Sequence, residues 1–367
     1  MVGSVSVSSW HKANRIDSRE RLERVQVDEM RAFPGGAESA HCSVRCVDSL
    51  SCVTEDAANH AAGRAGPSYV GVVLDALQRT RRSVDATGFR SDELAPFLRV
   101  RIDRESRRQN AFANFEEAII LLELAEADGD AVAHELGHLL SLGKLNPWLA
   151  LRPESVAWRE AMADVIAAFT YRGSIVAETI VSRDLSVFRG TSILDSEGHN
   201  AGLFYGNALW ELRCALGDSA WPTVLQMMLL AHVLMPSDRP VTPVGFFRAL
   251  EESARVMEAA GLAAFAARAL PWIEKLATER GVDPATFSSR ELAARSIALR
   301  KPPSFGVAAE LSHFLNLHRR GHFVAESTLT LPLGMRLLTV RERSRQAVAI
   351  VDRAGVPLRM WYRQRGE

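Results

Sequence analysis

The chain has 367 residues, room for about two domains of ~150 residues. Its 44 Lys+Arg cancel 44 Asp+Glu, so it lacks the basic excess on which phosphate binding to nucleic acid or anionic lipid draws. A hydrophobic share of 47 % with 24 % charged residues excludes disordered, collagen-like and coiled-coil classes.

Residues 1–65 read as a polar, loosely packed extension, broken at Pro34-Gly35-Gly36 and carrying Cys42, Cys46 and Cys52. The three- and five-residue gaps between those cysteines match no standard zinc spacing. They read as reduced thiols or one disulfide, which leaves the redox compartment open. The first residues lack the basic start and apolar core of a secretory signal, so no localisation is expected from them.

From Pro67 the apolar positions Val70, Val73, Leu74 and Leu77 recur at helical spacing. Ser91 caps a short helical turn, and Leu98 to Ile102 looks like a strand. Ala118 to Leu122 fits a buried strand or a helix edge. Asp128-Gly129-Asp130 is a turn that opens a helix through Leu140. Pro153-Glu154-Ser155 has the look of the next helix start, with the helix running to about Tyr171 and stopping at Gly173.

Gly202 to Arg280 reads as a helical domain, in which Met227-Met228-Leu229-Leu230 is at core spacing. Its most apolar stretch, Trp221 to Met235, includes Pro222, Gln226 and His232 and falls short of the ~20 apolar residues that span a bilayer. His313, His318 and His322 read as a solvated loop. Ser327 to Tyr362 carries strand-like runs around an Asp352-to-Gly355 turn.

The string His134-Glu135-Leu136-Gly137-His138 carries the chemistry. Histidines four apart lie one turn apart on one helix face, so both imidazoles can reach a single metal ion. Glu135 beside them can take a proton from water. A catalytic zinc needs a third protein ligand and an open position, and Glu160 in the next helix can supply that ligand. Asp164, one turn further, can accept the remaining N–H of a ligand histidine and fix its tautomer. Both carboxylates are flanked by apolar Val156, Ala157, Ala161, Val165 and Phe169, with no obvious basic partner.

His134-Glu-Leu-Gly-His138 followed by Glu160-Ala-Met-Ala-Asp164 resembles the thermolysin-like gluzincin metallopeptidases and their fungalysin-like relatives. The likeness extends over roughly residues 66–275, through Tyr69 to Leu77, Arg82 to Gly88 and Asn110-Ala111-Phe112, the last resembling the family's edge strand. By that resemblance Asn110 and Ala111 are substrate-binding positions, pairing with peptide backbone by β-augmentation. Asp195-Ser-Glu-Gly-His199 resembles the segment carrying the transition-state histidine. The resemblance makes His199 an oxyanion donor, with Asp195 or Glu197 to hold it protonated. Arg183 matches the arginine that holds a substrate carbonyl. The family's acidic calcium cluster is missing, since Phe169 to Ser182 has only Glu178. Calcium is therefore doubtful, although Asp130 matches one family calcium ligand. The tyrosine expected between the second and third ligands is absent, and so is the Gly-x-Met-Glu-Asn string of the aminopeptidase relatives.

The expected architecture is α+β. An N-terminal catalytic lobe with a mixed sheet and the zinc helix (66–145) meets a helical lobe (146–283), followed by a linker and small β-rich unit (284–367). The expected function is zinc-dependent endopeptidase action on a peptide or protein substrate. His134, His138 and Glu160 hold one Zn²⁺, Glu135 is general base, and His199 and Arg183 stabilise the oxyanion. Two alternatives stay open: a zinc-binding protein on a peptidase scaffold that no longer turns over, and a narrow-specificity amidase or processing peptidase. Neither a nucleic-acid partner nor a membrane span is expected, and the sequence does not decide the oligomeric state.

Overall fold

A computed structural model describes residues 8–12, 22–26, 31–33, 36–38, 42–46, 69–95, 98–103, 109–114, 119–124, 128–142, 145–146, 149, 155–177, 182–188, 198–235, 240–286, 324–342, 345–353 and 357–364. The fold is mixed α+β. The chain divides into two compact units, one of Met1–Asp85, Ser91–Lys144 and Arg159–Trp210, the other of Ala86–Arg90, Leu145–Trp158 and Glu211–Glu367.

The first unit opens with strands β1 (Ser8–Lys12) and β2 (Leu22–Gln26), which pair antiparallel. Strands β3 (Arg31–Phe33), β4 (Gly36–Glu38) and β5 (Cys42–Cys46) follow. Helix α1 (Tyr69–Asp85) and the short α2 (Ser91–Leu94) lead to β6 (Leu98–Ile102), β7 (Asn110–Asn114) and β8 (Ile119–Glu123). Six of these strands form one sheet in the order β3-β4-β5-β6-β8-β7. It is a mixed sheet: β5 runs parallel to β6 and β6 to β8, while β7 runs antiparallel to β8. The expected loose extension therefore supplies half of the sheet's strands. Its polar composition concealed them, because strands this short carry little periodic signal.

The strand read at Leu98 to Ile102 has its alternate residues buried, the period-two pattern of a half-covered strand. Of the run Ala118 to Leu122, Ile119 to Leu122 lie on strand β8, where Ile119, Ile120 and Leu122 belong to the core. On α1, Val73, Leu74, Leu77 and Val84 are buried at helical spacing, and Tyr69 donates its hydroxyl to the Leu124 carbonyl at 3.0 Å.

Helix α3 (Gly129–Leu142) is capped by Asp128, whose Oδ1 accepts from the amides of Asp130 (3.2 Å) and Ala131 (3.3 Å). Such a cap satisfies amides that a helix start leaves without an intrahelical partner. Residues 131–140 are all buried, so this is a core helix. Helix α4 (Val156–Tyr171) is buried from Ala161 through Phe169. It stops where Arg172 turns left-handed (φ 55) and the Gly173 amide reaches back to the Ala168 carbonyl at 3.0 Å. The antiparallel pair β9 (Ile175–Val176) and β10 (Arg183–Asp184) comes next. Helix α5 (Gly198–Leu216) then runs from the first unit into the second.

The second unit holds helices α6 (Trp221–Leu234), α7 (Pro243–Ala259) and α8 (Ala263–Glu279). Residues Val224 to Leu234 of α6 are all buried, Met227 and Met228 among them, which makes the methionine pair packing. Several buried polar groups here find hydrogen-bond partners. Trp158 Nε1 donates to His232 Nδ1 at 3.1 Å, and the Asn146 amide donates to the carbonyls of His232 and Met235. An antiparallel meander of β11 (Val324–Thr330), β12 (Arg336–Glu342), β13 (Arg345–Val351) and β14 (Pro357–Gln364) ends the chain. This is the β-rich unit expected from Ser327 onward. It belongs to the same compact unit as helices α6 to α8, tied to α7 by an Arg359–Glu252 ion pair. No helix among the described residues is long and apolar enough to cross a membrane.

Candidate metal centre

Helices α3 and α4 approach closely because residue 137 is glycine. A Cβ there would stand 3.1 Å from Ala163 Cα and 3.3 Å from the Ala163 carbonyl oxygen. Those are backbone atoms that cannot swing aside, so a side chain at 137 would push the helices apart. Gly137 lies between His134 and His138, and Ala163 lies between Glu160 and Asp164. The point of closest approach therefore sets the two pairs of side chains against each other. All the described site residues lie in the first unit, which takes in α4 from Arg159 onward. The sequence had assigned the two helices to different lobes.

His134 Nε2, His138 Nε2 and Glu160 Oε2 form a triangle with edges of 3.1, 3.2 and 3.3 Å. His199 Nε2 lies 3.0 Å from the same Glu160 Oε2. That oxygen is buried and, among the described residues, accepts no hydrogen bond despite the three nitrogens around it. Two imidazole nitrogens 3.1 Å apart beside a buried carboxylate oxygen are an arrangement that a shared cation, a proton or a metal ion, satisfies. His134, Glu160 and His199 are a group that could hold a metal ion.

Asp164 is fully buried behind His134 and accepts from its Nδ1 at 2.7 Å. This bond puts the ring proton on Nδ1 and turns the Nε2 lone pair toward the centre. Arg183 donates to both carboxylate oxygens, from Nη2 to Oδ1 at 2.6 Å and from Nε to Oδ2 at 2.8 Å. Burial on its own would raise the Asp164 carboxyl, but Arg183 and then His134 hold it down at about 2. Burial would likewise lower the His134 imidazole, and Asp164 reverses this and holds it at about 10. Glu160 is held far below the usual carboxylate range, against its burial, by His138 first and by the neighbouring imidazoles. A metal ion would compete with protons for these same nitrogens.

Arg183 is thus the basic partner for Asp164 that the sequence did not reveal. It is buried, and its Nε and Nη2 donate to Asp164, so it holds that carboxylate in place behind His134. The β9–β10 pairing, with Arg183 opposite Val176, carries it there. Glu135 is buried on α3 next to His134. His199 sits in the first turn of α5, in the helix itself and not in a turn before it. Asn110 and Ala111 lie on β7, the edge strand expected of them. The Ala111 amide is engaged by Asn110 Oδ1 at 2.9 Å, and a peptide would have to displace that bond. Asp195, Glu197, Glu178, Cys52, Trp148 and the histidines at 313, 318 and 322 lie outside the described residues.

Asp130 does not stand ready for calcium as a free carboxylate. Its Oδ2 accepts from the Ala177 amide at 2.9 Å, and burial together with hydrogen bonding to Asp128 raises its pKa to about 9. No protein-family model matches this chain, and no curated protein matches it.

Proposed function

We propose that the chain is a zinc-dependent hydrolase of peptide bonds. The observation that carries this reading is the triangle of His134 Nε2, His138 Nε2 and Glu160 Oε2, with edges of 3.1–3.3 Å. Ligands placed tetrahedrally at about 2.0–2.1 Å from a zinc ion stand about 3.3 Å apart. Two imidazoles and one carboxylate, with a third imidazole near, also form a donor set that suits zinc better than calcium or magnesium. Zinc in this position supplies Lewis-acid chemistry, making water acidic and polarising a carbonyl.

The protein's own residues do the rest. Asp164, neutralised by Arg183, keeps His134 in the Nδ1–H tautomer, which leaves Nε2 free to ligate. Glu135 acts as general base, taking a proton from the attacking water and passing it to the leaving amine. His199 Nε2–H donates to the oxygen on which negative charge grows. The edge strand β7 offers a place for the substrate backbone.

The test is metal content together with hydrolysis of a casein-type substrate, with and without a chelator. One zinc per chain and chelator-sensitive cleavage lost in Glu135→Gln are expected. Full cleavage by a zinc-loaded Glu135→Gln protein would sink the reading. A metal-binding protein without turnover remains the second reading, favoured by how closely His199 crowds the centre.

A further inference from the structure

Arg183 grips Asp164 from an element that cannot hold its own shape. Strands β9 and β10 have two residues each, and even a full-length two-stranded pair is marginal in water. Contacts from outside must therefore fix the pair. At one end the Leu185 amide donates to the Ser174 carbonyl, and the Asn207 side-chain amide donates to the Leu185 carbonyl. The other end carries Arg183, opposite Val176. Among the described residues its anchor is Asp130, whose Oδ2 accepts from the Ala177 amide at 2.9 Å.

Ala177 is buried and has a left-handed backbone, φ 54. Residues other than glycine seldom adopt that conformation, and they keep it only where their surroundings fix it. The bond from Asp130 does so here. Asp130 stands four residues before His134 on α3, one turn away on the same face. The contacts thus close a ring. From His134 it runs to Asp164 and Arg183, across the strand pairing to Val176 and Ala177, and back to α3 at Asp130.

We infer that Asp130 is a positioning residue for the metal centre. By holding Ala177 left-handed it keeps Arg183 on Asp164, and so keeps the His134 imidazole turned toward the metal. This rests on the proposed zinc site and extends it to a residue one helical turn from the nearest ligand. The simpler account is a hydrogen bond that stabilises the fold and no more. Removing such a bond lowers stability and leaves the zinc affinity of the folded chain alone. A positioning bond changes the affinity too, and does so through Asp164.

The test measures zinc affinity of the full chain by competition against a chromogenic chelator, with urea unfolding alongside. Asp130→Ala should weaken zinc roughly 5–10-fold, at or below the low end of what losing a direct partner of a ligand does. Asp130→Asn keeps an oxygen that can accept from Ala177 and should bind zinc as the unsubstituted chain does. Glycine takes the left-handed backbone without strain, so Ala177→Gly added to Asp130→Ala should recover about two- to threefold. In an Asp164→Asn background, Asp130→Ala should cause no further loss, because the contact it acts through is already gone.

Full zinc affinity in a destabilised Asp130→Ala would overturn the inference. So would a loss in Asp130→Asn equal to that in Asp130→Ala, no recovery on Ala177→Gly, or an undiminished loss in the Asp164→Asn background. Should Asp130→Ala not fold, the double variant with Ala177→Gly carries the test, and full affinity there overturns the inference. The two readings fail separately. These affinity differences without casein cleavage keep Asp130 in its role and remove the peptidase. Glu135-dependent cleavage with full zinc affinity in Asp130→Ala does the reverse, and a chain that takes up no zinc loses both.

Discussion

Two buried, helix-borne histidines meet opposite partners. In the first unit, His134 Nδ1 faces the carboxylate of Asp164 at 2.7 Å; in the second, His232 Nδ1 faces the indole N–H of Trp158 at 3.1 Å. A carboxylate only accepts, so His134 carries its proton on Nδ1 and presents Nε2 as a lone pair. An indole only donates, so the His232 Nδ1 is the acceptor and its proton sits on Nε2. Burial is nearly the same, 4 % and 0 % exposed. The partner on Nδ1, and not the depth, suits one to ligate a metal ion and the other to the core.

The largest effect should come from removing each ring. His134→Ala should lower metal affinity by at least ~100-fold, to the point where zinc is lost on dialysis. His232→Ala should leave one zinc per chain and cost stability instead. An orphaned indole N–H costs about 1–3 kcal/mol, and the cavity adds to it. Elemental analysis and urea unfolding of both variants would check this. Loss of zinc from His232→Ala would break the comparison.

The next effect isolates the carboxylate. Asp164→Asn should weaken zinc binding by roughly 10–100-fold. It also leaves Arg183 buried without its counter-charge, at a cost of about 3–5 kcal/mol. Adding Arg183→Leu should recover much of the stability and none of the affinity, since the tautomer of His134 depends on Asp164 alone. Competition against a chromogenic chelator, paired with urea unfolding, separates the two quantities.

The same contrast marks what was legible in the sequence. His134, His138, Glu160 and Asp164 could be read because each pair repeats at one helical turn, and local periodicity fixes a shared face. The helices of the second unit, the strand at Leu98 and the final β meander were legible for the same reason. The Arg183–Asp164 pairing was not legible because it spans 19 residues through a two-strand pairing with no periodic signature. Strands β3 to β5 were missed because runs of three to five residues are too short for a period to register. The closeness of His199 to Glu160 is a distance between separate elements, which spacing along the chain does not encode.

Gly137 offers a smaller perturbation that leaves every ligand in place. Gly137→Ala sets a methyl against the backbone of Ala163 at 3.1 Å. It should cost about 1–3 kcal/mol and loosen zinc several-fold, because the two ligand pairs are carried apart together. Gly206→Ala is the matched control. Its methyl would meet Leu185 Cδ2 at 3.0 Å, the end of a side chain that can turn away. Equal affinity losses in the two would show that the close approach of α3 and α4 does not set the site.

The smallest effect on the metal, and the sharpest form of the comparison, lies in two carboxyls of the first unit, one buried and one half-buried. Asp164 faces an arginine and is held at about 2, whereas Asp130 faces Asp128 and is raised, by burial first and then by that neighbour, to about 9. Two adjacent buried carboxyls cannot both ionise cheaply. The Asp164 contribution is present above its unfolded pKa and lost as pH falls toward 2. Asp130 acts in the opposite sense. Its folded form holds a proton that the unfolded chain has released, so it erodes stability as pH rises from the unfolded value of 3.8 toward 9, by at most about 1.4 kcal/mol per pH unit. His134 adds a loss of the same sign between 6.5 and about 10 in chelator-treated protein, so the unsubstituted curve alone does not separate them. The difference between Asp130→Asn and the unsubstituted chain does: the variant should gain relative stability from pH 6 to pH 9, with zinc content unchanged. A difference in urea midpoint that stayed flat over that range would mean that neither burial nor Asp128 raises the Asp130 carboxyl in the folded chain.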